Sequence, residues 1–180
     1  MTSDLAFYWP LIQEIATSFS IDPALVGAIV LQESGARTDA FRFEPLFWAR
    51  YLSKKPEWKG FNPRRVSASY GLMQLMYPVA VERGMTQAWP PEALFIPDTG
   101  LSWGCKQLAR IEDLLIVKAP LATPEERLLA LLASYNGGFQ VPGALRPDSL
   151  RYALQVRQRY LALRHELQWP SPPLWTEVKA

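Results

Sequence analysis

The sequence predicts a single, mainly α domain over residues 1–180, with at most a small β-hairpin. Three observations point there. Apolar residues recur at helical spacing in several segments, each bounded by cap signals. No clear run alternates apolar and polar residues. No repeat, and no linker long enough to divide the chain, interrupts its 180 residues, a length that buries one core of ordinary size.

The elements follow in order. An amphipathic helix runs from about Leu5 to Phe19. A second has Asp22 as cap, Pro23 at its first position and Gly35 at its end. Residues 41–62 are rich in aromatic and basic side chains without a regular period, and read as a short helix and loop on the surface; a hairpin is conceivable only between Arg37 and Ser69. Ser67 to Gln74 reads as a turn leading into a helix that ends near Gly84, followed by a Pro-rich loop from Trp89 to Pro97. Asp98 opens a long helix with Leu101, Cys105, Leu108, Ile111 and Leu115 on one face. Thr123, Pro124 and Glu126 make a capping box. The helix it opens carries Leu128, Leu129, Leu131 and Leu132, is apolar on most sides, and stops at Asn136-Gly137-Gly138. A last helix, from about Pro147 to Leu167, places Tyr152, Val156, Tyr160 and Leu163 on one side. The tail 170–180 is Pro-rich and reads as extended.

Composition narrows the chemistry. Apolar residues make up 49% and charged residues 20%, and the formal charge is +2, too small to argue for nucleic acid. The single cysteine, Cys105, allows no internal disulfide and reads as a packing residue. One histidine, His165, is too few for a zinc site or a His-based triad. No stretch is long enough to span a bilayer. Behind Met1 there is no basic start followed by an apolar run, so no secretory signal is visible.

Glu33 stands out. The second helix carries Leu25, Val26, Ile29 and Val30. At ~100° per residue, Glu33 falls about 20° from Val26 and about 40° from Ile29, so it continues the inward stripe. It also sits in the last turn, where the helix dipole is negative. Burial and dipole both oppose ionisation and should raise its pKa, as a general acid near neutral pH requires. The alternative is a glutamate that turns outward or pairs with Arg37.

Three segments in order bear on that choice: Leu31-Gln32-Glu33-Ser34-Gly35, then Tyr70-Gly71-Leu72-Met73-Gln74-Leu75-Met76, then Ala133-Ser134-Tyr135-Asn136-Gly137-Gly138. Arg151-Tyr152 with Val156 and Tyr160 is a weaker fourth. Together, each at a helix start or stop, they resemble the lytic transglycosylases of the soluble-lytic-transglycosylase type, in the lysozyme-like superfamily. The motif-bearing core covers about residues 20–165.

The resemblance implies an α+β lysozyme-like fold with a glycan-binding groove, and it implies roles. Glu33 is implied as acid and then base. Met73 and Gln74 would line the groove. Tyr135 would hold the Glu33 carboxylate or position the sugar, Asn136 would hydrogen-bond the sugar or its acetamido group, and Tyr152 would support the catalytic carboxylate. The implied reaction is non-hydrolytic cleavage of the β-1,4 bond between N-acetylmuramic acid and N-acetylglucosamine in peptidoglycan. The C6 hydroxyl attacks the anomeric carbon and leaves a 1,6-anhydro sugar, with no metal or organic cofactor.

The chain departs from the family between Ser34 and Ser67, where some thirty residues replace a short connection. The family's serine near the glutamate has two candidates, Ser67 and Ser69. The aromatics Phe41, Phe43, Phe47, Trp48, Tyr51 and Trp58 form either a wall for stacking sugars or a small satellite core. A hydrolytic muramidase akin to goose-type lysozyme would need a second carboxylate, for which Asp39 and Glu44 are candidates; a non-catalytic wall-binding component of a virion or secretion machine is the other alternative. The expected partner is the peptidoglycan glycan strand, with no nucleic acid and no integral membrane segment, and the default state is a monomer. The site of action is the bacterial wall or periplasm, reached by an unsignalled route such as delivery by a phage particle or release on lysis.

Overall fold

A computed structural model describes residues 1–167. The Pro-rich tail 170–180 lies outside the described residues. The chain forms two compact units, Thr2–Gln107 and Leu108 onward, the latter taking in Met1.

In the first unit, Thr2 caps α1 (Ser3–Ser18) and Asp22 caps α2 (Pro23–Glu33), accepting from the Ala24 N–H at 2.9 Å, with Pro23 in the first turn. The two helices pack together, and Leu5, Ile12, Val26 and Ile29 retain no exposed surface. All of α2 from Pro23 to Val30 is buried, so the apolar stripe of the sequence is part of a helix enclosed on every side.

The β element has three strands rather than a hairpin. β1 (Phe41–Phe43), β2 (Ala68–Tyr70) and β3 (Leu75–Met76) form an antiparallel sheet in that order. Phe41 faces Tyr70, and Ser69 faces Met76. Leu75 and Met76, expected in a helix, are strand residues. The chain turns at Gly71 (φ +67°) and Gln74 (φ +47°), and α5 begins only at Tyr77 and ends at Glu82.

Between β1 and β2 the chain makes α3 (Pro45–Phe47), a π-helical turn (Trp48–Leu52), a 3-10 turn (Pro56–Trp58) and α4 (Pro63–Val66). Leu52, Trp58 and Val66 join Tyr70, Tyr77 and Leu94 in a second core, with Phe47, Trp48 and Phe61 packed on it. Phe47, Trp48 and Trp58, half of the aromatics whose role the sequence left open, therefore belong to a satellite core. Phe41 and Tyr51 stay exposed.

A 3-10 turn (Pro91–Phe95) lies in the Pro-rich loop, and α6 (Pro97–Lys118) follows, starting in the first unit and ending in the second. Leu101, Cys105, Leu108, Ile111 and Leu115 are all buried, as their spacing requires. Burial pushes the Cys105 thiol up to about 12, so it stays a neutral packing group.

In the second unit, Thr123 and Glu126 form the capping box of α7 (Pro124–Gly137), each bonding the other's backbone N–H. Gly138 ends the helix with φ +79°. α7 packs along α8 (Pro147–Glu166). Val156, Tyr160 and Leu163 are buried there, Tyr152 half-buried. An Arg157–Glu125 ion pair at 2.5 Å ties the two helices.

Candidate active site

Glu33 is the last residue of α2 and is half-buried. Ser34 caps the helix, and Gly35 (φ +63°) and Ala36 (φ +67°) turn the chain away at once. Glu33 thus stands at a helix terminus from which the backbone turns away. Ser34 is buried, and its hydroxyl reaches the Leu72 carbonyl at 2.7 Å, with the Val30 carbonyl at 3.1 Å. This bond joins the end of α2 to the turn between β2 and β3, 38 residues later.

That turn is fixed from several sides. The Gly71 N–H donates to the Ala40 carbonyl at 2.9 Å. The Gln74 amide donates to the same carbonyl at 2.8 Å and to Gly71 O at 3.1 Å. A Cβ on Gly71 would lie 2.4 Å from the Leu94 carbonyl oxygen, so only glycine allows this approach. Met73 has no exposed surface, and its sulfur fills the space where Gly104 lacks a side chain. The Gly-Leu-Met-Gln segment is a rigid shelf: Gln74 spends its amide N–H groups on the turn, and Met73 supports it from inside.

Ser67 is fully buried, and its hydroxyl donates to the Glu44 carbonyl at 2.8 Å, while the Glu44 N–H donates to the Ser67 carbonyl at 2.8 Å. Ser67 thereby closes the neck of the excursion between β1 and β2. Ser69, also buried, sits in β2 opposite Arg42 and Met76. Asp39 is exposed on a turn, and the Glu44 carboxylate accepts from Arg42 Nε at 2.5 Å.

Tyr135, Asn136 and Tyr152 belong to the second unit. Tyr135 is half-buried and Asn136 exposed, both in the last turn of α7, and Tyr152 lies in the second turn of α8. The sequence gives no role to Gln140, which organises this end of the unit. Its backbone N–H donates to Ser134 Oγ at 2.9 Å, its amide to the Ala133 and Gly138 carbonyls, and its amide oxygen accepts from the Arg146 N–H at 2.7 Å. A Cβ on Gly137 would collide with Arg146 and Ser149. The signal available in the sequence was a polar residue two places beyond a Gly-Gly helix stop. Among the described residues, no group of three His, Cys, Asp or Glu side chains is placed to hold a metal ion, and no helix is long and apolar enough to cross a membrane.

Residues 10–143 match the family model described as the transglycosylase SLT domain. No curated protein matches the chain. Among solved structures, it is similar to the X-ray structure of an inactive Glu-to-Gln mutant of the lytic transglycosylase Slt from Pseudomonas aeruginosa, with a TM-score of 0.59 and 18% identity. The match covers 92% of this chain and 25% of that one, so the chain corresponds to about a quarter of the larger protein's length. That likeness shows the fold, and the family match, which covers most of the chain, shows the lineage: this protein belongs to the transglycosylase SLT domain family.

Proposed function

We propose that the protein is a peptidoglycan lytic transglycosylase in which Glu33 is the acid and then the base. The observation that carries this reading is the placement of Glu33 at the end of a helix buried from Pro23 to Val30, braced through Ser34 to the Gly71–Gln74 shelf. A half-buried carboxylate on a rigid mount suits a group that must first donate and then recover one proton. Family membership supplies the substrate class, and the solved relative was made inactive by a single Glu-to-Gln change.

In the proposed reaction, Glu33 protonates the glycosidic oxygen between N-acetylmuramic acid and N-acetylglucosamine. The C–O bond breaks, and the muramic acetamido group stabilises the developing cation. The Glu33 carboxylate then takes the proton of the C6 hydroxyl, whose oxygen bonds to the anomeric carbon. A 1,6-anhydro end results without consumption of water. Tyr135 and Asn136 are proposed to contact the sugar, and Tyr152 to support the carboxylate. Met73, Gln74, Ser67 and Ser69 are proposed to act from beneath, by fixing the shelf and sheet rather than by offering free groups to the glycan. The whole chain is read as one catalytic domain, since the family match runs across the Gln107–Leu108 boundary.

Hydrolysis would need a second carboxylate to activate water. Asp39 lies on an exposed turn and Glu44 is held by Arg42, which favours the non-hydrolytic route. Mass spectrometry of muropeptides released from purified walls tests it. Anhydro products are expected; products heavier by one water, about 18 Da, would identify a hydrolase. Glu33→Gln should clear no walls while keeping the wild-type melting temperature, and equal clearing by both proteins would remove Glu33 from the mechanism.

A further inference from the structure

The excursion between β1 and β2 is where the chain concentrates its positive charge. Residues 41–66 hold seven basic and two acidic side chains, a net +5 in a chain whose total is +2, so the rest of the sequence is acidic on balance. Three of the seven cations are engaged locally, Arg42 by Glu44, Arg65 by Glu92, and Lys55 by Glu57 at 4.0 Å. Arg64 stands over the Phe43 ring, 5.9 Å from its centroid. Arg50, Lys54 and Lys59 are exposed, and among the described residues no carboxylate pairs with them.

Two of these cations stand beside apolar side chains that face water. Through α3 and the π-helical turn, residues four apart lie in rows. The Phe47 and Tyr51 rings, with centroids 4.9 Å apart, mark one row, and the Ser53 hydroxyl donating to the Ala49 carbonyl marks another. The row of Trp48 and Leu52 is rooted in the second core. The opposite row, Leu46, Arg50 and Lys54, points away from that core and is exposed throughout. Leu46 is 68% exposed, and Tyr51, in the next row, 55%. A leucine, a tyrosine, an arginine and a lysine therefore share the outer side of one helical run. Leu52 holds that run to the body of the protein, so little ordering is left for a partner to impose.

The charge calls for an anionic partner. Leu46 and Tyr51 call for one that also offers an apolar layer. Sugars and phosphate polymers stay hydrated and give a leucine no way out of water, whereas a bilayer carries hydrocarbon directly beneath its headgroups. Tyrosine suits that boundary, with its ring in the apolar layer and its hydroxyl among headgroups. Arginine and lysine can lay their stems along it and keep their charge at the phosphates. We infer that the outer face of residues 46–54 docks the protein peripherally on an anionic phospholipid surface, with Arg50 and Lys54 among the headgroup phosphates and Leu46 and Tyr51 at the edge of the hydrocarbon. So few apolar groups and cations give a weak, reversible and salt-sensitive hold. Docking of this kind is independent of the chemistry at Glu33, and either can fail without the other.

Sedimentation of the full chain with vesicles tests it. The wild type should bind vesicles of mixed phosphatidylcholine and phosphatidylglycerol, ignore pure phosphatidylcholine, and be released as salt rises. The double variant Arg50→Gln, Lys54→Gln should bind the mixed vesicles about twentyfold more weakly, from roughly fivefold for each charge near the surface. Leu46→Ser, which removes no charge, should weaken the same binding severalfold. Both variants should keep the wild-type melting temperature, since the altered side chains are exposed. Absence of wild-type binding to the mixed vesicles, or equal binding to the neutral ones, would overturn the docking surface. Binding that the charge variant weakens and Leu46→Ser leaves intact is the behaviour of a hydrated polyanion site, and it overturns membrane docking as well.

Discussion

The hydroxyl of Ser34 and the carbonyl of Leu72, 2.7 Å apart and buried, join the end of the glutamate-bearing helix to the turn of the small sheet. Deleting the hydroxyl leaves a buried acceptor without that donor, which costs about 1–3 kcal/mol. Ser34→Ala should lower stability by that amount in a denaturant titration. It should also slow wall clearing when both proteins are assayed at a temperature where each is folded, because the mount of Glu33 is loosened. Ser34→Thr, which keeps a donor, should recover most of the clearing rate.

Gly71 has two independent reasons to stay glycine, a φ of +67° and the Leu94 carbonyl 2.4 Å from where a Cβ would stand. The obstacle is backbone and cannot swing aside. Left-handed strain and overpacking together predict a loss of about 2–4 kcal/mol for Gly71→Ala, visible as a lowered midpoint of unfolding. Gly35→Ala provides the contrast. It shares the positive φ but meets nothing within 4 Å, so it should pay the conformational cost alone, about 1–2 kcal/mol.

Glu112 in α6 makes stability depend on pH. Burial raises its carboxyl to about 7 from 4.5, neighbouring Asp113 adds to the rise, and Arg127 opposes it. Below about pH 4.5 the group is protonated both folded and unfolded. Between there and about pH 7 the folded chain keeps a proton that the unfolded chain releases, so stability falls as pH rises through this window and levels off above it. Glu112→Gln should remove that slope. At pH 8 it should be more stable than wild type by about 1–2 kcal/mol, a figure reduced for the solvent that still reaches the group. Melting curves at pH 5 and pH 8 for the two proteins measure the difference.

The helices were legible because their signals are local. Asp22-Pro23, the Thr123–Glu126 box and the Leu101-to-Leu115 face each state a boundary or a buried side within a few residues. The sheet was not legible. Its strands have two or three residues, too few to display alternation, and β1 finds its partner only after the chain has passed through four short helical turns. Leu72, Met73, Leu75 and Met76 are spaced as a helix would space them, and the turn that overrides this spacing depends on Gln74 adopting a left-handed conformation stabilised by Ala40. The place of Glu33 at the end of α2, half-buried, could be read from helical geometry. The shelf beneath it, and the use of Gln140 as a central post, depend on hydrogen bonds between segments that no local pattern announces.

The reciprocal bonds between Glu44 and Ser67 close the excursion between β1 and β2 at its base. Beyond such a clasp, adding or removing residues changes closure entropy only with the logarithm of length, and the strand register below it is insulated from the change. This is a place where a lineage can graft in or trim a cassette without rebuilding the brace behind Glu33. The limit is set by Trp58, whose ring meets Tyr77 edge-on, and by Leu52, which shares its core with Tyr70; any shorter version must supply other apolar groups to that core.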